Sequence, residues 1–308
     1  MLHHVKAFSP AFWADPRNDT VKGFGAMILV LACWVGFAVS LRAIGPSQLT
    51  PCDIALIRFG VPGVFLLFLL PSHWKSLRRV DLVAAGMVAI GGGLPFFLIA
   101  ALGGQATSAA HVSAIVAGTM PVSVAFISNR LNRNLSKASW VALGIITTAV
   151  VCLSVPPHHM THTGRFFEGV IFLLVASFLW GVYAVGLKRL AAQPATAAMV
   201  VTWPSLLLLL VAISCGAVKS HVLSSSLSAL SPFLIVQGLG VGLLSTFAYA
   251  FAVRNLGASR CANIGALAPA VSAVVAVPIL DEALTIPVLM GVPLIVLGVI
   301  LANKGENR

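Results

Sequence analysis

Four ionisable side chains stand inside or at the margins of long apolar runs in this 308-residue sequence: Asp53, Arg58, His111 and Glu168. Charge at membrane depth is expensive, so each is a functional candidate if its run spans a bilayer. Asp53 and Glu168 lie at the starts of their runs and are expected at the interface. Arg58 follows Pro51 by seven residues, about 10 Å along a helix at 1.5 Å per residue. Two roles fit it: attraction of a carboxylate, or a structural role in which the side chain snorkels or bonds backbone carbonyls. His111 stands one turn beyond Thr107 and is the one histidine inside a run. It suits a polar group in a pocket or a proton-linked switch, since imidazole titrates near neutrality, and it equally suits a buried hydrogen bond to a neighbouring helix.

The remaining chemistry is sparse. His158, His159 and His162 share a short connection without a nearby carboxylate, and the five cysteines are scattered singly, so neither a metal site nor a disulfide framework is expected. No H-E-x-x-H, G-x-S-x-G or phosphate-loop motif occurs in a suitable context, and Gly91-Gly92-Gly93 precedes Leu94-Pro95 with no strand before it. It reads as a flexible or tightly packed helix segment. An enzyme is disfavoured, and no cofactor is expected.

What positions these residues follows from composition. Apolar residues make up 59% of the chain and charged residues 9%, against about 25% charged in ordinary soluble domains. Too few charges remain to coat a soluble globule, which leaves a polytopic helical membrane protein. The net charge of +11 does not point to nucleic acid, because the cations sit between apolar runs and form no basic, aromatic-interleaved patch.

Ten runs are long enough to span: Gly23 to Leu41, Pro51 to Leu70, Leu82 to Leu102, Ser108 to Ile127, Ser139 to Val155, Glu168 to Leu187, Thr196 to Val218, Pro232 to Val253, Arg260 to Leu280 and Thr285 to Ala302. Of the 19 Lys and Arg residues, fifteen fall on the side shared by the termini, three on the other, and Arg58 within a span. Cytoplasmic loops carry such an excess, so both termini are expected in the cytoplasm.

The two halves repeat. Trp34 to Arg42 in the first span and Trp180 to Lys188 in the sixth share W-x-x-[FY]-A-V-x-L-[RK]; Ala114 and Pro121 correspond to Ala262 and Pro269, and Gly144 to Gly291. Five spans per copy is an odd number, so the second copy enters the membrane from the opposite side. The expected fold is an all-α membrane protein of ten transmembrane helices in two inverted five-helix repeats, an arrangement suited to alternating access. The expected organisation is a cytoplasmic tail over 1–21, repeats over 22–155 and 167–302, an outer connecting loop over 156–166, and a cytoplasmic tail over 303–308.

These elements, with Ile54 to Phe59, Ala101-Leu102, Thr107 to Ala109 and Asp281 to Thr285, make the sequence resemble the EamA-type ten-helix exporters of the drug/metabolite transporter superfamily, over nearly its whole length. The sequence departs from that family's pattern where Arg133 stands opposite Glu282. The resemblance implies a central cavity lined by spans one, three, four, six, eight and nine, and export of amino acids or other small metabolites. Trp34, Phe37, Phe96, Phe97, Trp180, Tyr183, Phe247 and Tyr249 lie in those spans, and both tyrosines of the chain are among them. With His111 and Asn263 they are the substrate-binding candidates, giving an apolar pocket with a few polar handles. Packing against neighbouring helices is the competing role for each. Pro121 and Pro269 are hinge candidates, since each removes a backbone donor from its helix.

The expected protein is a monomeric inner-membrane exporter of amino acids, favouring aromatic and other apolar ones. With no carboxylate near mid-membrane, transport is expected to be facilitative or weakly coupled. The alternatives are a broad exporter of small amphipathic compounds and, less favoured, a channel or membrane-embedded enzyme.

Overall fold

A computed structural model describes residues 16–129, 137–156 and 163–305. Pro16–Ile44 forms α1, Pro51–Leu77 α2, Leu82–Gly92 α3, Leu94–Ala106 α4, Ala109–Gly118 α5, Met120–Asn129 α6 and Lys137–Leu153 α7. The second half comprises α8 (Thr163–Leu190), α9 (Pro194–Ser214), α10 (Leu227–Phe233), a π-helical stretch (Leu234–Leu244), α11 (Ser245–Leu256), α12 (Ala258–Gly265), α13 (Ala268–Leu280) and α14 (Ile286–Gly305). No strand occurs among the described residues. Six helical stretches are long and apolar enough to cross a membrane, and four shorter apolar helices accompany them.

Local chemistry sets the helix ends. Thr50 caps α2 in a reciprocal capping box with Asp53, and Pro51 occupies the first turn, where its missing N–H costs nothing. Asp81 caps α3 through the Val83 N–H, and Ser108 caps α5 through the His111 N–H. Asp53 is fully buried rather than interfacial, because Ser220 and the His221 N–H also donate to its carboxylate. The seventh apolar run stops at Ser214, short of Val218, since Gly216 turns the chain at φ +71°. Conversely α1 begins at Pro16, ahead of its apolar run, because polar residues at a helix end stay solvated.

Several spans are broken rather than continuous. Gly93 separates α3 from α4, and the Ser205 hydroxyl accepts from the Leu94 N–H freed there. The fourth span is interrupted at Thr119, just before Met120-Pro121, and the ninth at Ala266-Leu267, just before Ala268-Pro269. The eighth span carries the π-helical stretch.

Packing crosses between the halves. The first-span helix α1 packs against α11, the π-helical stretch and α13, whereas its counterpart α8 packs against α3, α4, α5 and α6. Likewise α2 packs on α9, and α7 on α14. Small residues permit these approaches: a Cβ on Gly92 would lie 2.6 Å from the Tyr183 ring, and one on Gly298 2.6 Å from Ile146. Gly91 and Gly92 are therefore a packing surface against α8, while Gly93 meets Ser205 of α9.

Candidate functional site

The π-helical stretch approaches α2 closely because Gly238 and Gly242 face it; a Cβ on Gly242 would stand 2.8 Å from the Arg58 carbonyl oxygen. That approach brings Gln237, fully buried, against Arg58, 8% exposed. Arg58 Nη1 donates to Gln237 Oε1 at 2.8 Å, Gln237 Nε2 donates to Ser40 Oγ at 2.6 Å, and Ser40 Oγ donates to the Phe37 carbonyl at 2.9 Å. A buried polar chain thus ties α2, the π-helical stretch and α1 together.

Aromatic faces surround the guanidinium. Its carbon lies 5.1 Å from the Phe37 ring centre, 5.4 Å from Phe97 and 5.8 Å from Phe59, all within cation–π range. The Phe37 ring stacks near-parallel on Phe96 at 6.1 Å, Phe96 meets Trp180 at 4.9 Å, and Trp180 meets Tyr183 at 5.0 Å. A continuous aromatic wall therefore runs from Arg58 across α1 and α4 to α8. Phe96 and Phe97 are fully buried in it, while Phe37, Trp180 and Tyr183 keep partial exposure.

Five of the candidates, Phe37, Phe96, Phe97, Trp180 and Tyr183, are gathered at this wall. Trp34 and Tyr249 form a separate pair at 5.7 Å, with the Trp34 ring lying over Gly265. Phe247 is half-buried on α11. His111 stands apart: Nε2 lies 3.0 Å from the Leu153 carbonyl, Nδ1 contacts the Ser108 hydroxyl, and the ring meets Phe166 edge-on. The side chains of Asn263 and Pro121 and the loop from His158 to His162 lie outside the described residues, although the backbone of Pro121 is helical in α6. Pro269 is buried in the first turn of α13.

Arg58 had two roles open to it, and its observed acceptor is a side-chain amide rather than a backbone carbonyl. Gln237 was not singled out from sequence. The available signal was an amide inside an apolar, glycine-rich run, where an unsatisfied polar group is costly.

Polar contacts also tie the two ends of the helix bundle. At one, the Glu282 carboxylate accepts from Arg42 Nε at 3.2 Å and from the Ala109 N–H at 3.1 Å. The Glu282 side chain is only 14% exposed, and burial pushes its carboxyl above its ordinary value against the opposing pull of the Ala109 N–H and Arg42. At the other end Arg189 pairs with Asp81, and His73 contacts Gln193, all near solvent. The Arg189 hydrogen bond holds the Asp81 carboxyl below its ordinary range. Among the described residues no group of three or more His, Cys, Asp or Glu side chains is arranged to hold a metal ion. A cleft of about 740 Å³ between α2, α3 and α9 is walled almost wholly by apolar atoms, including Leu77, Leu82 and Leu207, and has the character of a lipid-facing surface.

The family model for EamA-like transporters matches the chain twice, over residues 21–155 and 167–304. The chain belongs to the EamA-like transporter family. It is a multi-pass membrane protein of two EamA repeats, and its family function is transport of small molecules. No curated protein gives a significant match. Fifteen chains of solved structures do match. One, described only as "Crystal structure of protein", is 16% identical with a TM-score of 0.58, over 94% of this chain and 98% of that one. At that identity the likeness carries the fold alone. In this EamA-like transporter the aromatic wall and the Arg58–Gln237–Ser40 chain bring together side chains from both repeats.

Proposed function

We propose that this EamA-like transporter is an inner-membrane exporter of amino acids and related small metabolites, favouring aromatic and other apolar side chains, and that it works by alternating access as a monomer. The observation that carries the reading is the aromatic wall of Phe37, Phe96, Trp180 and Tyr183, built from both repeats and ending at a buried cation. Such a site offers an apolar side chain several ring faces and a polar head one strong partner.

Alternating access draws support from the exchange of packing partners. The first-span helix touches spans eight and nine, besides α4 and α5 of its own half, and its repeat counterpart touches spans three and four, a partial exchange that suits two units related by a two-fold axis. Five crossings per repeat would place that axis in the membrane plane. In this reading ten spans put both termini in the cytoplasm and the Arg42–Glu282 end outside. The breaks before Pro121 and Pro269 supply paired hinges. Among the described residues no carboxylate is hydrogen-bonded at the aromatic wall, which supports facilitative or weakly coupled transport.

A second reading, broad export of small amphipathic compounds, is favoured by the same wall, since ring faces discriminate weakly among apolar shapes. Counterflow of labelled phenylalanine and alanine in liposomes, with and without a proton gradient, tests both. Phenylalanine counterflow without a gradient is expected. Counterflow that appears only with a gradient would overturn the facilitative mechanism, and uptake of unrelated amphiphiles in place of amino acids would favour the second reading. Orientation is checked by cysteine labelling from outside the cell: position 159 is expected to react and position 3 to stay protected.

A further inference from the structure

We infer that Arg58, held by Gln237, is the carboxylate receptor of the transporter, and that the substrate class is therefore apolar and aromatic carboxylates whether or not they carry an α-amino group. This rests on the export reading above and names the chemistry of the same site.

The charges around Arg58 are out of balance. Arg58 is a buried guanidinium in a span, and a cation there is costly without an opposite charge. Its described hydrogen-bond acceptor is the neutral Gln237 amide, through Nη1 alone. The guanidinium carbon lies over the Phe37, Phe59 and Phe97 rings, whose faces attract a cation but accept no strong hydrogen bond. A guanidinium presents five donors in a planar fork matched to a carboxylate. One edge is fixed by the amide, and a ligand carboxylate would supply the missing charge and the missing acceptors together.

The described carboxylates of the chain are committed elsewhere. Asp53 is saturated by Thr50, Ser220 and His221, Glu282 is held by Arg42 and Ala109, and Asp81 by Arg189. Asp281 is exposed in the turn before α14, and Glu168 is exposed on α8. Neither makes a hydrogen bond at the wall. The site so far as described thus has one charged group, and it is positive. A ligand ammonium finds Tyr183 and ring faces there but no anion, so the amino group is dispensable in a way the carboxylate is not. The ring stack from Phe37 to Tyr183 begins at Arg58, and its partly exposed members, Phe37, Trp180 and Tyr183, give the apolar portion of such a ligand its surface.

The test uses the full chain in liposomes and two analogues of phenylalanine: 3-phenylpropanoate, which lacks the amine, and 2-phenylethylamine, which lacks the carboxylate. The expected result is that phenylpropanoate inhibits phenylalanine counterflow about as well as unlabelled phenylalanine, whereas phenylethylamine is at least about tenfold weaker, in keeping with loss of a buried charge-pair contact. Equal inhibition by the two analogues, or stronger inhibition by the amine, would overturn the assignment. Arg58→Gln is expected to raise the KM for phenylalanine at least about tenfold, with Arg58→Lys intermediate, because lysine keeps the charge and loses the fork. An unchanged KM in Arg58→Gln would overturn it as well.

Two controls separate this inference from the export reading. If phenylalanine shows no counterflow, the export reading fails, and binding to the wild-type protein is still measured by tryptophan fluorescence in thermal melting with each analogue. A melting shift with phenylpropanoate and none with phenylethylamine sustains the receptor; the reverse removes it. Because the wild-type arms need no variant, a misfolded Arg58 mutant leaves the proposal decidable.

Discussion

Glu282 lies 3.2 Å from Arg42 although 240 residues separate them, and the same carboxylate receives the Ala109 N–H at the start of α5. One side chain therefore joins the end of α1, the start of α5 and the turn between α13 and α14. These are helices that must separate if that end of the transporter opens.

Replacing Glu282 by Ala leaves the Ala109 N–H without its acceptor, at a cost of about 1–3 kcal/mol to the closed arrangement. A cysteine placed at Ala38, buried one turn below Arg42, is expected to react several-fold faster with a membrane-impermeant thiol reagent in that background. An unchanged rate would show that the contact does not hold this end shut. The pH sign follows from the upward shift of the Glu282 carboxyl from its ordinary 4.5. A raised carboxyl binds its proton more tightly in the closed state than in the open one. Closure is therefore favoured as pH falls toward the ordinary value and loses that contribution as pH rises through the elevated one. Labelling of the Ala38→Cys protein should be slower at about pH 5 than at about pH 7.5, and Glu282→Gln should remove this part of the difference.

Trp180→Ala and Tyr183→Ala are expected to weaken phenylalanine transport by about 1 kcal/mol per lost ring contact, roughly fivefold, with less effect on alanine. Both substrates are measured against folded protein. Parallel losses would assign the rings to packing.

His111→Ala removes the partner of the Leu153 carbonyl and the edge contact to Phe166. A loss of about 1–3 kcal/mol in stability is expected, read as a lower melting temperature, with transport per folded molecule and its response to a proton gradient unchanged. Loss of a gradient response would instead make His111 the coupling group.

Gly92→Ala places a Cβ 2.6 Å from the Tyr183 ring, whereas Gly86→Ala on the same helix meets open space. The first is expected to cost about 1–3 kcal/mol by overpacking and to impair aromatic transport by displacing Tyr183. The second should be neutral or slightly stabilising, as alanine is the better helix former. Equal melting temperatures for the two variants would refute the close approach.

The helical membrane architecture was legible because apolar runs of span length are a one-dimensional signal, and the repeat was legible from Trp34 and Trp180 with their flanking residues. The breaks before Pro121 and Pro269 were likewise readable from a residue that lacks an N–H. The break at Gly93 and the π-helical stretch were not, since both depend on tertiary partners: Ser205 for the freed Leu94 N–H, and α2 for the close approach of Gly242. Five aromatic candidates converge because their helices do, while Trp34 turns to Tyr249 on α11 and Gly265 on α12, a choice that helical spacing alone leaves open. Gln237 escaped notice because its importance lies in a partner 179 residues away. Arg58 was visible as a buried charge, but its company of three rings is a property of packing.

The span of sequence between Arg58 and Gln237 also bears on biosynthesis. Ribosomes add about 5–20 residues per second, so the 179-residue separation corresponds to roughly 9–36 s during which the second helix exists without its amide partner. Within that interval α2 also awaits α9, and α7, once made, waits beyond it for α14, the helices they pack against in the finished protein. The nascent first half is an unfinished surface held in lipid, and its guanidinium lacks the amide acceptor it has in the finished protein. A chain truncated after its first repeat would keep that guanidinium without its amide and leave α2 without α9, and α7 without α14, to pack on.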